Sequence, residues 1–218
     1  LKALLLQKAQ GNDDWKSNGK LRLETLLWGG DEHIWVVPAW VGWETVRFFF
    51  EYTAEWEEQG KHLTHAGGVV FCHHNAPIHR IRKLAEALCD EVKTKGGGGN
   101  RFAYQVLESF DHIGRDLEEH RKRFCKAGIS ETDLVLNGES MAEVAKAKKE
   151  LERHEFARRK LHGIVHAILA DNLGAVSSLS AELTRESAVD GALGKMRGCF
   201  GDSPAMWIHL QELWDYLR

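Results

Sequence analysis

Two apolar runs flank a short polar tip near the start of the chain. Leu21, Leu23 and Leu26 to Trp28 precede Gly29-Gly30-Asp31-Glu32, and His33 to Val37 follow it, closed by Pro38. Strands of that length around a glycine-bearing tip predict an antiparallel hairpin, ended where proline removes a ladder donor. Ahead of it, residues 1–10 place Leu1, Leu4, Leu5 and the stem of Lys8 on one helical face, and "GNDDWKSNGK" (11–20) reads as a loop. After it, "WETVRFFFEYTAEWEEQG" (43–60) predicts a helix closing on Gly60, and "HLTHAGGVVFCHH" (62–74) a buried strand. Residues 77–95 predict a second helix, with Pro77 in its first turn and "GGGGN" (96–100) stopping it, and 101–109 a further strand. This order describes an α+β layer of helices on an antiparallel-rich sheet.

From Asp111 onward the period lengthens. "DHIGRDLEEHRKRFCKAG", "SMAEVAKAKKELERHEFARRKLHGIVHAILADN" and "SPAMWIHLQELWDYLR" space apolar residues by three or four, which predicts a small all-α domain over 109–218 after an α+β domain over 1–108. Only "TDLVLNG" (132–138) interrupts it, as a short extended segment ending in an Asn-Gly turn. In the last helix Trp207, Leu210, Leu213, Trp214 and Leu217 share one face, which core packing explains and a partner surface would also suit.

Composition narrows the class of protein. The 218 residues include 29 basic and 32 acidic ones for a formal charge of -3, so no global field points to nucleic acid. Cys72, Cys89, Cys125 and Cys199 form no Cys-x-x-Cys pair, which fits a reduced, cytoplasmic setting rather than a zinc ribbon. No apolar run approaches the roughly 20 residues that cross a bilayer, so no membrane partner is expected. The opening "LKALLLQKAQ" is already helix-periodic and lacks a start signal, so the chain is expected to begin inside a larger protein.

The tip itself has two readings. A tight turn needs positive φ, which glycine adopts without steric cost. Alternatively, two glycines let a nucleotide approach the backbone, Asp31 ligates a divalent cation shared with the phosphates, and Glu32 shares the metal or helps deprotonate an attacking hydroxyl.

Four pieces in order favour the second reading: "LLWGGDEHIWVVPAW", the aromatic helix after it, "LTHAGGVVFCHHNAPIHRIRKLAEALCDEVK" and "GGNRFAY". Together they resemble the palm-type nucleotidyl cyclase family, which includes GGDEF diguanylate cyclases and, closer to this chain, the large polymerase-like subunit of type III CRISPR effector complexes. The resemblance spans roughly residues 1–108 and implies a ferredoxin-like palm. It implies that Gly29, Gly30 and Lys93 contact nucleotide phosphates and that Asp31 and Glu32 bind Mg²⁺ or Mn²⁺ and act in catalysis. The implied reaction is attack of a ribose hydroxyl on the α-phosphate of ATP, giving cyclic oligoadenylate, with other effector subunits and guide or target RNA as partners.

Three departures qualify it. His33 stands where diguanylate cyclases carry Phe, and Lys20 and Leu23 replace their product-inhibition residues, which makes the diguanylate cyclase the weaker alternative. The family also carries a metal-binding aspartate on a strand ahead of the first helix, whereas Asp13 and Asp14 follow that helix here. A palm without that residue would serve as an assembly module.

Other polar clusters read more plainly. His62, His65, His73, His74 and His79 lack a carboxylate or thiol at ligand spacing, so surface or loop positions account for them better than zinc. The basic stretches "HRIRKLAEA", "HRKRFCK" and "RHEFARRKLHG" fit solvated helix faces, or sequence-independent contacts to RNA phosphates.

Overall fold

A computed structural model describes residues 2–107 and 117–218. The expected boundary at 108/109 and the first turns of the helix expected from Asp111 lie outside the described residues. Helix α1 (Lys2–Gln10) leads through a one-turn helix at Asp13–Trp15 into a miniature hairpin of β1 (Lys16–Ser17) and β2 (Lys20–Leu21). The larger hairpin follows as β3 (Glu24–Gly29) and β4 (Glu32–Val36), antiparallel, with Trp28 opposite His33 and Gly29 opposite Glu32.

Helix α2 (Gly42–Thr53) is shorter than its aromatic pattern predicts. The expected helix to Gly60 is corrected here: β5 (Glu57–Glu58) and β6 (Lys61–His62) form a hairpin over residues 57–62 instead. Its two central residues, Gln59 (φ 53) and Gly60 (φ 74), both take left-handed backbone, as a type I′ turn requires. Glycine closed a strand pair rather than a helix.

The central sheet is a three-stranded one in the order β7 (Ala66–Phe71), β8 (Arg101–Val106), β9 (Leu136–Asn137). Strands β7 and β8 are parallel, because helix α3 (Ile78–Lys95) carries the chain back over the sheet between them. The antiparallel-rich sheet expected from sequence is thus modified twice: the central pair is parallel, and the described strands fall into four separate sheets. Strand β9, antiparallel to β8, comes from the helical half.

Alternation along β7 assigns a helix to each face. Gly68 faces α3 so closely that a Cβ there would enter the carbonyl of Ala85 and lie 2.8 Å from the Cys89 nitrogen. Gly67 faces the other way, where a Cβ would stand 3.8 Å from the ring of Phe50 in α2. Leu88 and Val92 of α3 pack with Ala103 and Val135 on the first face. On the second, Trp43 and Phe50 of α2 meet Phe102, at ring separations of 5.9 Å each.

After the one-turn-and-a-half α4 (Leu117–Lys122), five helices follow: α5 (Met141–Arg153), α6 (Arg158–Leu169), α7 (Leu173–Leu183), α8 (Ser187–Phe200) and α9 (Ala205–Leu213). The long periodic stretch expected as one run is divided between α5 and α6 at Glu155, which takes left-handed φ 48. The short extended segment ends at Asn137-Gly138 as expected: β9 stops there, the Asn137 side chain accepts a hydrogen bond from the Glu139 amide at 3.0 Å at the start of a one-turn helix, and Gly138 makes room for Phe50, whose ring a Cβ would meet at 2.6 Å.

All five apolar residues predicted on the last face are buried, with Leu210, Leu213 and Leu217 fully enclosed. Core packing accounts for them. They belong to one cluster that runs from Trp43 and Phe71 through Tyr104 to Leu217, so both halves of the chain share a core. Among the described residues no helix is long and apolar enough to cross a membrane.

Candidate functional site

The glycine tip is a two-residue turn. Gly30 has φ 58 while Asp31 is not left-handed, the arrangement of a II′ turn with glycine at its first central position. That demand accounts for Gly30. It does not account for Gly29, which lies in β3 with no positive φ and nothing within 4 Å of where a Cβ would stand. Neither backbone conformation nor packing explains the missing side chain. Gly29, Gly30, Asp31 and Glu32 are all exposed, so the tip presents bare backbone and two carboxylates to solvent.

Alternation along β4 sends neighbouring side chains to opposite sides. Glu32 turns toward α3: its carboxylate bears electrostatically on the thiol of Cys89, as does the ammonium of Lys93 one turn further along that helix. Burial raises the Cys89 thiol above its ordinary range, Lys93 opposes the rise, and Asp90 and Glu32 add to it. The thiol donates to the Ala66 carbonyl at 3.4 Å, which fastens α3 to β7. The fold therefore brings Glu32 and Lys93, 61 positions apart by their numbers, to one thiol. Lys93 stays mostly exposed and lies 3.7 Å from the Asp90 carboxylate.

His33 and Trp35 turn the other way, toward α2. Trp28 and His33 face each other across the hairpin with ring centroids 4.5 Å apart, His33 stacks on Trp35 at 6.0 Å, and Trp35 meets Phe49 edge-on at 6.1 Å. Phe49 in turn touches His65 at 5.1 Å. Burial lowers His65, and the charge of His33 lowers it further; burial lowers His33 while the Asp31 carboxylate opposes. Both imidazoles are thereby shifted toward their neutral forms. Nδ1 of His33, Nε1 of Trp35 and Nε2 of His65 are buried without a hydrogen-bond partner.

Among the predicted residues, Gly29, Gly30, Asp31 and Glu32 adjoin one another at the tip, whereas Lys93 lies on α3, where its charge and that of Glu32 both bear on Cys89. Cys89 and the Trp28–His33 pair were not singled out from sequence. Both had a signal: Cys89 lies four residues before Lys93, on the same helical face, and a two-residue turn necessarily sets Trp28 opposite His33.

No group of three His, Cys, Asp or Glu able to hold a metal occurs among the described residues. The tip offers the carboxylates of Asp31, beside His33, and Glu32, on the side of Cys89, and either fits an ion such as Mg²⁺ that takes one or two carboxylates and completes its shell with phosphate oxygens and water. It does not fit an all-protein cage. The five histidines occupy different environments: His62 pairs with Glu57 at 3.1 Å, His73 and His74 are exposed loop residues, His79 is exposed on α3, and His65, unlike the surface position expected, is packed among aromatics.

Some residues of the basic stretches have acidic partners within the chain. Arg82 pairs with Glu86 at 2.7 Å, Arg121 with Glu91 at 2.9 Å, His154 with Glu186 at 2.8 Å and Lys160 with Glu182 at 2.8 Å. Arg121 is the surprise, since it is buried and ties α4 to α3. The four cysteines are free thiols. Comparison with protein-family models, curated protein sequences and solved structures finds no match to the chain.

Proposed function

We propose that the chain is a nucleotide-binding palm followed by a helical domain, from the large subunit of a type III CRISPR effector complex or a near relative, and that the β3–β4 tip takes ATP with a divalent cation. The observation that carries the reading is Gly29. Its side chain is missing where neither φ nor packing requires it, on an exposed turn that carries Asp31 and Glu32. Close approach of a ligand to backbone is the remaining demand that glycine meets.

In this reading the Gly29 and Gly30 backbone lies against the phosphates and Lys93 supplies positive charge from α3. Asp31 and Glu32 would hold Mg²⁺ or Mn²⁺, which when bound polarises a phosphoryl oxygen and steadies attacking and leaving oxygens. The reaction forms a bond from a ribose hydroxyl to the α-phosphorus of ATP and breaks that phosphorus–oxygen bond to pyrophosphate, with the hydroxyl proton passing to a base such as Glu32. Repetition gives cyclic oligoadenylate.

Calorimetric titration with ATP and Mn²⁺ tests binding, and labelled-ATP turnover with metal and target RNA tests chemistry. Wild-type protein is expected to bind at micromolar levels, and D31A and E32A to abolish product. Gly29→Ala is expected to keep its melting temperature, since there is room for the methyl, yet to weaken ATP binding. Undiminished ATP binding and turnover in these variants would sink the assignment.

A second reading, an assembly module on the same palm, is favoured by one observation: the described residues bring no third metal-binding side chain to the tip. It expects folded protein with no ATP binding in the same titration.

A further inference from the structure

We propose that His162 and His166 form a two-imidazole site on the outer face of α6 for a late first-row divalent cation, Cu²⁺, Ni²⁺ or Zn²⁺, separate from the β3–β4 tip and independent of the nucleotide reading. Of the twelve histidines in the chain only these two stand four positions apart, and α6 carries both. Four residues of helix return a side chain to the same face about one 5.4 Å pitch along the axis. Two imidazoles at that spacing can close on one ion, as the paired histidines of helical zinc motifs do. Both rings are exposed, and among the described residues neither is taken up by a hydrogen bond or an ion pair.

The helix beneath them is fixed. Leu161, Ile164 and Ile168 are buried on its inner face. On one flank Lys160 pairs with Glu182 of α7 at 2.8 Å; on the other Arg158 lies over the Trp214 ring at 5.3 Å and 3.5 Å from Asp215. Both neighbouring cations are thus drawn aside, and a chelating pair on a braced helix binds without first ordering the backbone. His166 lies in the last turn of α6, where the negative end of the helix dipole favours a cation. Exposed Arg159, one turn before His162, acts against it. Among the described residues no third His, Cys, Asp or Glu joins the pair, so water completes the shell. Nitrogen donors select the later transition ions over Mg²⁺, which takes oxygen, so this site and the carboxylates of the tip discriminate between metals in opposite senses.

The test titrates Ni²⁺, with Mg²⁺ as the comparison ion, into the full chain as wild type, H162Q, H166Q, R159Q and the H73Q/H74Q double variant, and reads affinity by calorimetry. Wild type is expected to bind Ni²⁺ and to ignore Mg²⁺ at this site. Either single glutamine substitution on α6 is expected to lower Ni²⁺ affinity about a hundredfold, because the second ligand then no longer adds to the first. R159Q is expected to strengthen binding, and H73Q/H74Q, which removes the exposed pair after β7, to leave it unchanged. Since both rings stand in solvent, H162Q and H166Q should melt with the wild type when metal is absent, so that lost binding is not lost fold. Equal Ni²⁺ affinity in wild type and either single α6 variant would overturn the proposal, as would a loss found only in H73Q/H74Q.

Discussion

His209 shows how a single residue carries a pH dependence for the whole chain. In α9, its ring is 1% exposed; Nε2 donates to the Asp133 carbonyl at 2.9 Å and Nδ1 accepts from the Tyr104 hydroxyl at 2.9 Å. Burial lowers its pKa to about 4, only partly offset by the Asp133 carbonyl, with Arg121 reinforcing the fall. The unfolded chain, with an ordinary histidine near 6.5, therefore takes up the proton first as pH drops. The stabilising contribution of the neutral ring is complete above about pH 6.5 and is lost as pH falls toward 4. Urea denaturation at pH 7 and pH 5 is expected to differ by about 2 kcal/mol from this group alone. H209F should flatten that difference, and an unchanged slope in H209F would assign the effect to other groups.

At the scale of the element, the site depends on how closely α3 lies on β7. Gly68 is the residue that permits it, and the same approach places Cys89 where the charges of Lys93 and Glu32 both act on it. Gly68→Ala forces α3 outward or strains the strand, at a cost of about 3 kcal/mol, measurable as a fall in denaturant midpoint. Gly29→Ala, on an open turn, should leave that midpoint in place. Equal destabilisation by the two substitutions would contradict the packing described for β7.

These two glycines also mark what was legible in the chain. Both stand in Gly-Gly pairs, one at a hairpin tip and one inside a strand, and sequence assigns neither pair a packing role. The hairpin, the helix at 78–95 and the last helix followed from periodicity because each turns one apolar stripe to a core. The break between α5 and α6 did not, since Glu155 adopts left-handed backbone that its residue type does not advertise. Nor did the β5–β6 hairpin, whose turn places Gln59 in the same region.

For the whole molecule, the shared core argues that the two halves unfold together. Tyr216 stacks on Phe71 of β7 at 4.2 Å, Trp43 of α2 meets Phe200 of α8 at 6.1 Å, and β9 completes a sheet begun 70 residues earlier by number at Ala66. Differential scanning calorimetry of the full chain is expected to give one cooperative transition. Two resolved transitions would instead mark residues 1–108 and 109–218 as independent units.

The amino-acid sequence by itself determined the local elements whose side chains repeat with a clear period, and it determined which residues crowd the β3–β4 tip, because a two-residue turn leaves no freedom of register. Tertiary structure alone decided the rest. It set β7 parallel to β8 through the α3 crossover, buried Arg121 against Glu91, and brought Cys89 within the influence of both Lys93 and Glu32. Those outcomes depend on contacts between residues far apart in the chain, which no local pattern encodes. The same distinction separates the tip's two glycines: the turn requires Gly30, and only the empty space around Gly29 shows that nothing in the fold does.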